Sequence, residues 1–377
     1  MATYTGTDAN NIINGTSGDD TLLGLGGDDT LRGRAGNDII DGGAGDDRLL
    51  GEAGDDTIYG GDGADEIKAG DGNDTVYGDD GDDEIEGGAG QDMIHGGDGA
   101  DMIEAGDGDD IIEAGAGADF LEGGLGNDTL AGGAGADLIA GGELALPADT
   151  TDLYDPAEDA DTASYAGSAA GVTVDLANRQ AIEGSWAGFA GGAAVTVADA
   201  VIGVGGDAEG DVLVGIENLE GSAHDDVLGG DDGVNTLSGG AGDDILDGGY
   251  GNDRIDGGSG RDIMTGGDGA DRFVFSVLSD SGIRSSARDR IMDLDIAAGD
   301  RIDFSTLDID PSTAIREGLT YIGTGAYGGT AGEVRISASA NAGYTAVAID
   351  SDGDRLSNVI IEVALPVTEF TADAFLL

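Results

Sequence analysis

The chain has no cysteine, four prolines and one tryptophan, and aromatic residues make up only 5% of its 377 residues. Without cysteine there is no disulfide framework and no thiol catalysis. Basic residues are scarce as well: 15 Lys+Arg stand against 78 Asp+Glu, for a net charge of −63. So acidic a chain excludes nucleic acid and anionic membranes as partners, since both require basic surface. No apolar run approaches the roughly 18 residues that would span a bilayer. Residues 1–14 (MATYTGTDANNIIN) carry neither the basic nor the apolar region of a secretory leader, so a cleaved Sec signal is not expected.

Signatures of catalysis are missing too. The two histidines, His95 and His224, lie in repeat slots, so no H-E-x-x-H zinc helix is available. There is no G-x-S-x-G nucleophile elbow. The single lysine, Lys68, follows no phosphate-cradling loop. Carboxylate pairs abound, but each is better explained as a metal ligand than as a glycosidase pair. The sequence therefore reads as non-enzymatic.

What is present is glycine and aspartate in strict order. From Gly15 to Gly142 one line recurs every nine residues: glycine, usually glycine, any, glycine, any, aspartate, any, aliphatic, any. The aspartates are Asp20, Asp29, Asp38, Asp47, Asp56, Asp65, Asp74, Asp83, Asp92, Asp101, Asp110, Asp119, Asp128 and Asp137. A second block repeats the spacing at Asp226, Asn235, Asp244, Asp253, Asp262 and Asp271, with His224 in a glycine place and Asn235 as a neutral, weaker ligand. Gly/Asp-rich composition alone reads as disorder, but chance composition does not hold three residue types in register.

The nonapeptide has a direct physical reading. Glycines permit positive φ in tight turns. The residues after each aspartate form a short strand whose middle side chain (Leu22, Leu31, Ile40 and their successors) points inward. Two nonapeptides close one turn of a flattened coil, and stacked turns give two parallel sheets. One buried aliphatic per nine residues is too little to offset the ordering of nine residues. The aspartates supply what is missing. Those eighteen residues apart share an edge, and stacked carboxylates repel unless a cation separates them. Carboxylates with glycine-freed carbonyls make an all-oxygen site suited to calcium.

This pattern resembles the RTX (hemolysin-type) calcium-binding repeat. The resemblance implies an all-β parallel β-roll with several calcium ions along its edges. It implies that each ion takes aspartate side chains from repeats n and n+2. It also implies a secreted, extracellular protein of Gram-negative bacterial type, exported by a type I secretion apparatus. The leading expectation is a structural or matrix protein, with extracellular polysaccharide or cell-surface matrix as a further partner. The alternatives are a non-catalytic accessory module of a secreted enzyme and a glycan-binding adhesin.

Four segments are expected: a first block at 1–142 with Asn11 and Ile13 as a degenerate cap, a β-rich insert at 143–220, a second block at 221–275 and a C-terminal domain at 276–377. The last resembles the serralysin C-terminal domain, which caps the roll and carries the secretion signal. The tail Glu369–Leu377, an acid followed by apolar residues, reads either as that signal or as a final strand. Places eighteen apart should also form columns. Tyr59, Tyr77, His95 and Glu113 read as a sugar-binding strip or as cross-strand packing. Lys68, Glu86, Glu104 and Glu122 read as an outer cation site or a solvated face. Met102, Phe120 and Leu138 should be covered by residues of 143–220. Asp350, Asp352 and Asp354 resemble half an EF-hand loop, weakened by Arg355 and Ile361.

Overall fold

The computed structural model describes residues 1–142, 160–178, 180–184, 195–284, 286–309 and 318–377. Pro147, Pro156 and Trp186 lie outside the described residues. Apart from short 3-10 turns, the regular elements of the described residues are β-strands, and no helix among them is long and apolar enough to cross a membrane.

Two compact units are present: Met1–Tyr165 with Asn178–Ile216, and Ala166–Ala177 with Glu217–Leu377. The segment between the two repeat blocks is thus shared between the units.

In the first unit, alternate nonapeptides feed two parallel sheets. One carries the register Ile40, Ile58, Val76, Ile94, Ile112, Leu130 and Ala163. The other carries Leu31, Leu49, Ile67, Ile85, Ile103, Leu121, Ile139 and Leu213. These two ladders are the core, and all their members are buried. The expected solenoid, with an eighteen-residue turn, is the architecture observed.

The interior strands are longer than the short strand expected after each aspartate. Thr57–Asp62 is typical, with six residues. Equivalent backbone atoms stack turn on turn, so the ladder continues into the glycine pair, as in Gly43↔Gly61↔Asp79. Gly61 shows why glycine is favoured there. Its φ is +114°, and a Cβ would stand 1.9 Å from the Gly43 carbonyl oxygen. Leu25, Arg34, Glu52 and Asp79 occupy the same place with φ between 75° and 89°, a strained region for L-residues.

In the second unit, strands Asn218–Glu220, Thr236–Ser238, Arg254–Asp256 and Arg272–Val274 form one parallel ladder. It continues through Arg301–Asp303 to Phe375–Leu376. The opposite ladder runs from Thr173–Asp175 through Val227–Gly229, Ile245–Asp247, Ile263–Thr265 and Arg290–Ile291 to Val359–Val363. There the direction changes: Val359–Val363 and Glu333–Ala338 both pair antiparallel with Thr345–Asp350. The C-terminal residues therefore extend the roll of this unit before closing it. The tail is a strand in the folded protein. Phe375 pairs with Ile302 and packs 5.0 Å from Tyr321 and 6.1 Å from Phe370.

Candidate metal centre

Every repeat aspartate named above, and Asn235, is no more than 3% exposed. The nonapeptide explains the placement. The strand begins just after the aspartate, so its side chain sits at the turn, on the sheet edge, under the turn before it.

The carboxylates form files joined by one repeated link. The backbone N–H of each aspartate donates to Oδ1 of the aspartate eighteen residues on: Asp38 to Asp56 at 2.7 Å, Asp56 to Asp74 at 2.7 Å, Asp74 to Asp92 at 2.8 Å. The other edge repeats it, with Asp47 to Asp65 at 2.7 Å and Asp65 to Asp83 at 2.8 Å. The second unit does the same, Asp244 to Asp262 at 2.9 Å and Asp253 to Asp271 at 2.9 Å. One oxygen of each carboxylate is therefore committed to backbone. The other, Oδ2, is buried without a hydrogen-bond partner at each repeat aspartate from Asp29 to Asp137, and at Asp244, Asp253, Asp262 and Asp271.

Such an atom is costly to bury. Burial pushes the carboxyls of Asp56, Asp83, Asp92, Asp119 and Asp128 up to about 7, with neighbouring carboxylates adding to it and the backbone N–H opposing it. Asp65, Asp74, Asp101 and Asp137 rise to about 6, also chiefly through burial. A divalent cation removes the conflict, and a donor set of carboxylate oxygens at the turns fits calcium.

The files begin differently. Asp20 Oδ2 accepts the Thr16 N–H at 2.7 Å and its hydroxyl at 2.8 Å. The Asp20 carboxyl is held below its usual range, first by the Ala2 N–H on Oδ1 and then by Thr16. Asp226 is met in the same way by the N–H and hydroxyl of Ser222. Asn235 Oδ1 accepts the Asp231 N–H at 2.9 Å. Thr16, Ser222 and Asp231 stand where interior repeats usually have their second glycine.

Four further aspartates continue the files at separations other than the eighteen residues of the repeat turn. Asp128 donates to Asp161 at 2.9 Å, Asp137 to Asp211 at 3.0 Å, Asp262 to Asp289 at 3.0 Å and Asp271 to Asp300 at 3.0 Å. Their sequence separations are 33, 74, 27 and 29. One signal survives. Each keeps an apolar residue two places on (Ala163, Leu213, Ile291, Ile302), and that residue is a buried rung of the core.

The side columns also resolve. Tyr59 and Tyr77 stack at 5.1 Å with 5° between planes, and Tyr77 and His95 at 4.9 Å with 4°. His95 Nδ1 then lies 3.0 Å from Glu113 Oε2. Both faces of Tyr77 are thus covered by its neighbours, the arrangement of cross-strand packing. Lys68 pairs with Glu86. Phe120 and Leu138 are buried, and Leu138 pairs with Val212, a residue of the intervening segment. Asp350, Asp352 and Asp354 bring a carboxylate oxygen each to within 4.8 Å of one another. There, however, Asp350 already accepts the N–H groups of Gly353 and Arg355.

The family model of the RTX calcium-binding nonapeptide repeat (four copies) matches overlapping windows that together cover residues 5–143 and 211–273, more than half of the chain. This chain belongs to the RTX calcium-binding nonapeptide repeat family. Membership makes it a calcium-binding protein, in agreement with the unpartnered carboxylate oxygens. Among solved structures it is similar to the AlgE6R3 subunit of the Azotobacter vinelandii mannuronan C5-epimerase, with 32% identity and a TM-score of 0.31 over 41% of this chain and 78% of that one. It is also similar to the AlgE6R2 subunit of the same enzyme, with 28% identity and a TM-score of 0.29 over 41% and 88%. Among curated proteins, none matches this chain.

Proposed function

We propose that the chain is an extracellular structural or matrix protein that folds on meeting calcium and leaves the cell unfolded through a type I secretion apparatus. One observation carries this reading: files of buried carboxylate oxygens, at each repeat aspartate from Asp29 to Asp137, have no partner in the protein. In this reading the Oδ2 atoms of those aspartates, with Asp244, Asp253, Asp262 and Asp271, hold calcium along the sheet edges. The ions neutralise the edge and tie each turn to the next. A chain with net charge −63 repels itself without them. Sites of the extracellular class bind with dissociation constants of order 10⁻⁴–10⁻³ M, well above cytosolic calcium. The chain then stays unfolded and threadable inside the cell, and calcium outside makes export one-way. RTX repeat proteins are typically secreted, which supports the route. The folded tail is compatible with it, since a signal in residues 369–377 would be read before Phe375 reaches its strand.

The test is an immunoblot of cells and medium from a strain with and without a type I exporter, followed by sedimentation of the medium fraction with calcium or EDTA. The expected result is exporter-dependent appearance in the medium and calcium-dependent sedimentation with cell-surface material. A chain that stays in the cells despite the exporter overturns the export reading. One that reaches the medium but never associates with surface material overturns the matrix role.

A further inference from the structure

Basic residues number only 15 in a chain of net charge −63, yet three of them stand in one column. Arg254, Arg272 and Arg301 begin adjacent strands of the second unit and lie directly opposite one another, Arg254 to Arg272 and Arg272 to Arg301. The next residue of each strand, Ile255, Phe273 and Ile302, is fully buried, so by strand alternation the arginines face outward. Parallel strands set them about 4.8 Å apart, and like charges so placed destabilise a sheet. Arg254 and Arg272 are exposed and Arg301 is half-buried. Within the unit the column is only partly answered. Arg254 lies 3.6 Å from Asp256, and Arg301 donates to the carbonyls of Ile296 and Asp300 at 3.5 and 2.7 Å. Arg272, the middle rung, has no acid partner among the described residues.

The first unit carries a matching column of the opposite sign. Glu86, Glu104 and Glu122 lie directly opposite one another on adjacent parallel strands, three rungs at the same spacing. Glu86 and Glu104 are exposed and Glu122 is half-buried. Lys68 bounds the column at one end, where it pairs with Glu86, and Ala140 is the rung beyond Glu122. A guanidinium and a carboxylate meet through two parallel hydrogen bonds. Here three of each are held at one pitch by the same β-stacking, and the two columns belong to different units of the chain.

We propose that the column of Arg254, Arg272 and Arg301 is a docking site for the column of Glu86, Glu104 and Glu122 on a second copy of this chain. The contact joins two different surfaces, so it propagates: each copy gives one column to the copy before it and the other to the copy after it. This rests on the matrix reading and names how its copies join, in the calcium-folded state in which both columns exist. The net charge does not forbid it. At physiological ionic strength, exposed charges more than about 8 Å apart are largely screened, whereas paired rungs are in contact.

Sedimentation velocity of the purified, full-length, calcium-loaded chain reads the contact. At about 0.15 M NaCl, oligomers that grow with protein concentration are expected, and about 1 M NaCl, which cuts the screening length to about 3 Å, should return single chains. Arg272→Glu and Glu104→Arg should each weaken association about a hundredfold, because like charges then meet at the central rung. Each swap also places an opposite charge between two like ones in its own sheet, so neither should lower the melting temperature, and lost assembly is not lost folding. The chain carrying both swaps should assemble as wild type does. Association that either single swap leaves unchanged, or that the double swap fails to restore, overturns the proposal. So does a wild-type chain that stays single at every concentration, and if that chain binds an acidic polysaccharide through Arg272, the arginine column belongs to a soluble polyanion. Sedimentation with cell-surface material by a chain that never self-associates overturns this contact and leaves the matrix reading standing.

Discussion

Two buried carboxylates, Glu362 and Asp56, show how differently the C-terminal strands and the repeat interior handle charge. Glu362 is fully buried, yet Arg288, Arg290, Ser339 and Asn341 all donate to it. Burial raises its pKa, but these donors outweigh it and the net shift is downward. Asp56 receives one backbone N–H, and its second oxygen has nothing. The surroundings differ as well. Every residue of Thr345–Asp350 is buried, whereas a repeat strand such as Thr57–Asp62 buries only alternate residues. The C-terminal strands stabilise themselves by ordinary burial and pairing. The repeats share that burial and pairing in their core rungs but leave one oxygen of each edge carboxylate without a protein partner.

Calcium removal tests the contrast most severely. With excess EDTA the β-sheet circular dichroism of the full chain should largely disappear, and millimolar calcium should restore it cooperatively. Hydrogen exchange should show the repeats fully exposed while 345–350 and 359–363 keep some protection. An EDTA spectrum identical to the loaded one would remove the distinction.

Glu362→Ala should act on the other side of the comparison. It leaves two partly buried arginines without their acid, at a cost of about 3–5 kcal/mol. Thermal melts in saturating calcium should show this loss in the C-terminal strands with the first unit unaffected. A loss that calcium fully rescues would mean that the two regions are not distinct.

Protons should partly substitute for calcium in the repeats. Unfolded aspartate titrates near 3.9, whereas folded, metal-free Asp56, Asp83 and Asp119 hold a proton up to about 7. Between these values the folded state binds more protons. Metal-free stability therefore falls as pH rises from about 4 to about 7 and is greatest below the unfolded pKa. The chelated chain should gain β-sheet signal on acidification from pH 8 to pH 4. In calcium the sign reverses, because protons compete with the ion, and the calcium midpoint should rise as pH falls. A chelated chain equally disordered at both pH values would argue against burial as the source of the shifts.

At the level of single ligands, Asp74→Ala should raise the calcium midpoint of folding by about tenfold, or 1.4 kcal/mol, since ions on both sides lose a ligand. Asp354→Ala should shift it much less, because the Asp350 cluster is already supplied with backbone donors. Equal midpoints would break the file scheme. The smallest effect is expected from Asp79→Gly. Asp79 sits at φ 75° among acids, where burial and Asp80, Asp41 and Asp62 raise its pKa. Relieving the left-handed strain should stabilise the loaded chain by about 1 kcal/mol, readable as a small rise in melting temperature.

The amino-acid order alone determined the solenoid, its eighteen-residue turn, the core rungs from Leu22 to Leu130 and the edge position of the aspartates. These follow from a period, and a period is a property of the covalent chain. Tertiary structure decided which atoms meet. That Oδ1 is taken by the preceding turn's backbone while Oδ2 is left over depends on the stacking distance between turns, which no residue type specifies. Thr16 and Ser222 read as lapses in the motif, yet folded they are donors that satisfy the first acid of each block. Asp161, Asp211, Asp289 and Asp300 enter the files only because the chain returns after gaps of 27 to 74 residues to stack on the same edge. Phe375, at the end of a tail that also reads as a free signal, becomes a core rung because the Ile302 strand presents an unpaired edge. Periodicity is local and legible, while contacts across insertions exist only once the chain has closed on itself.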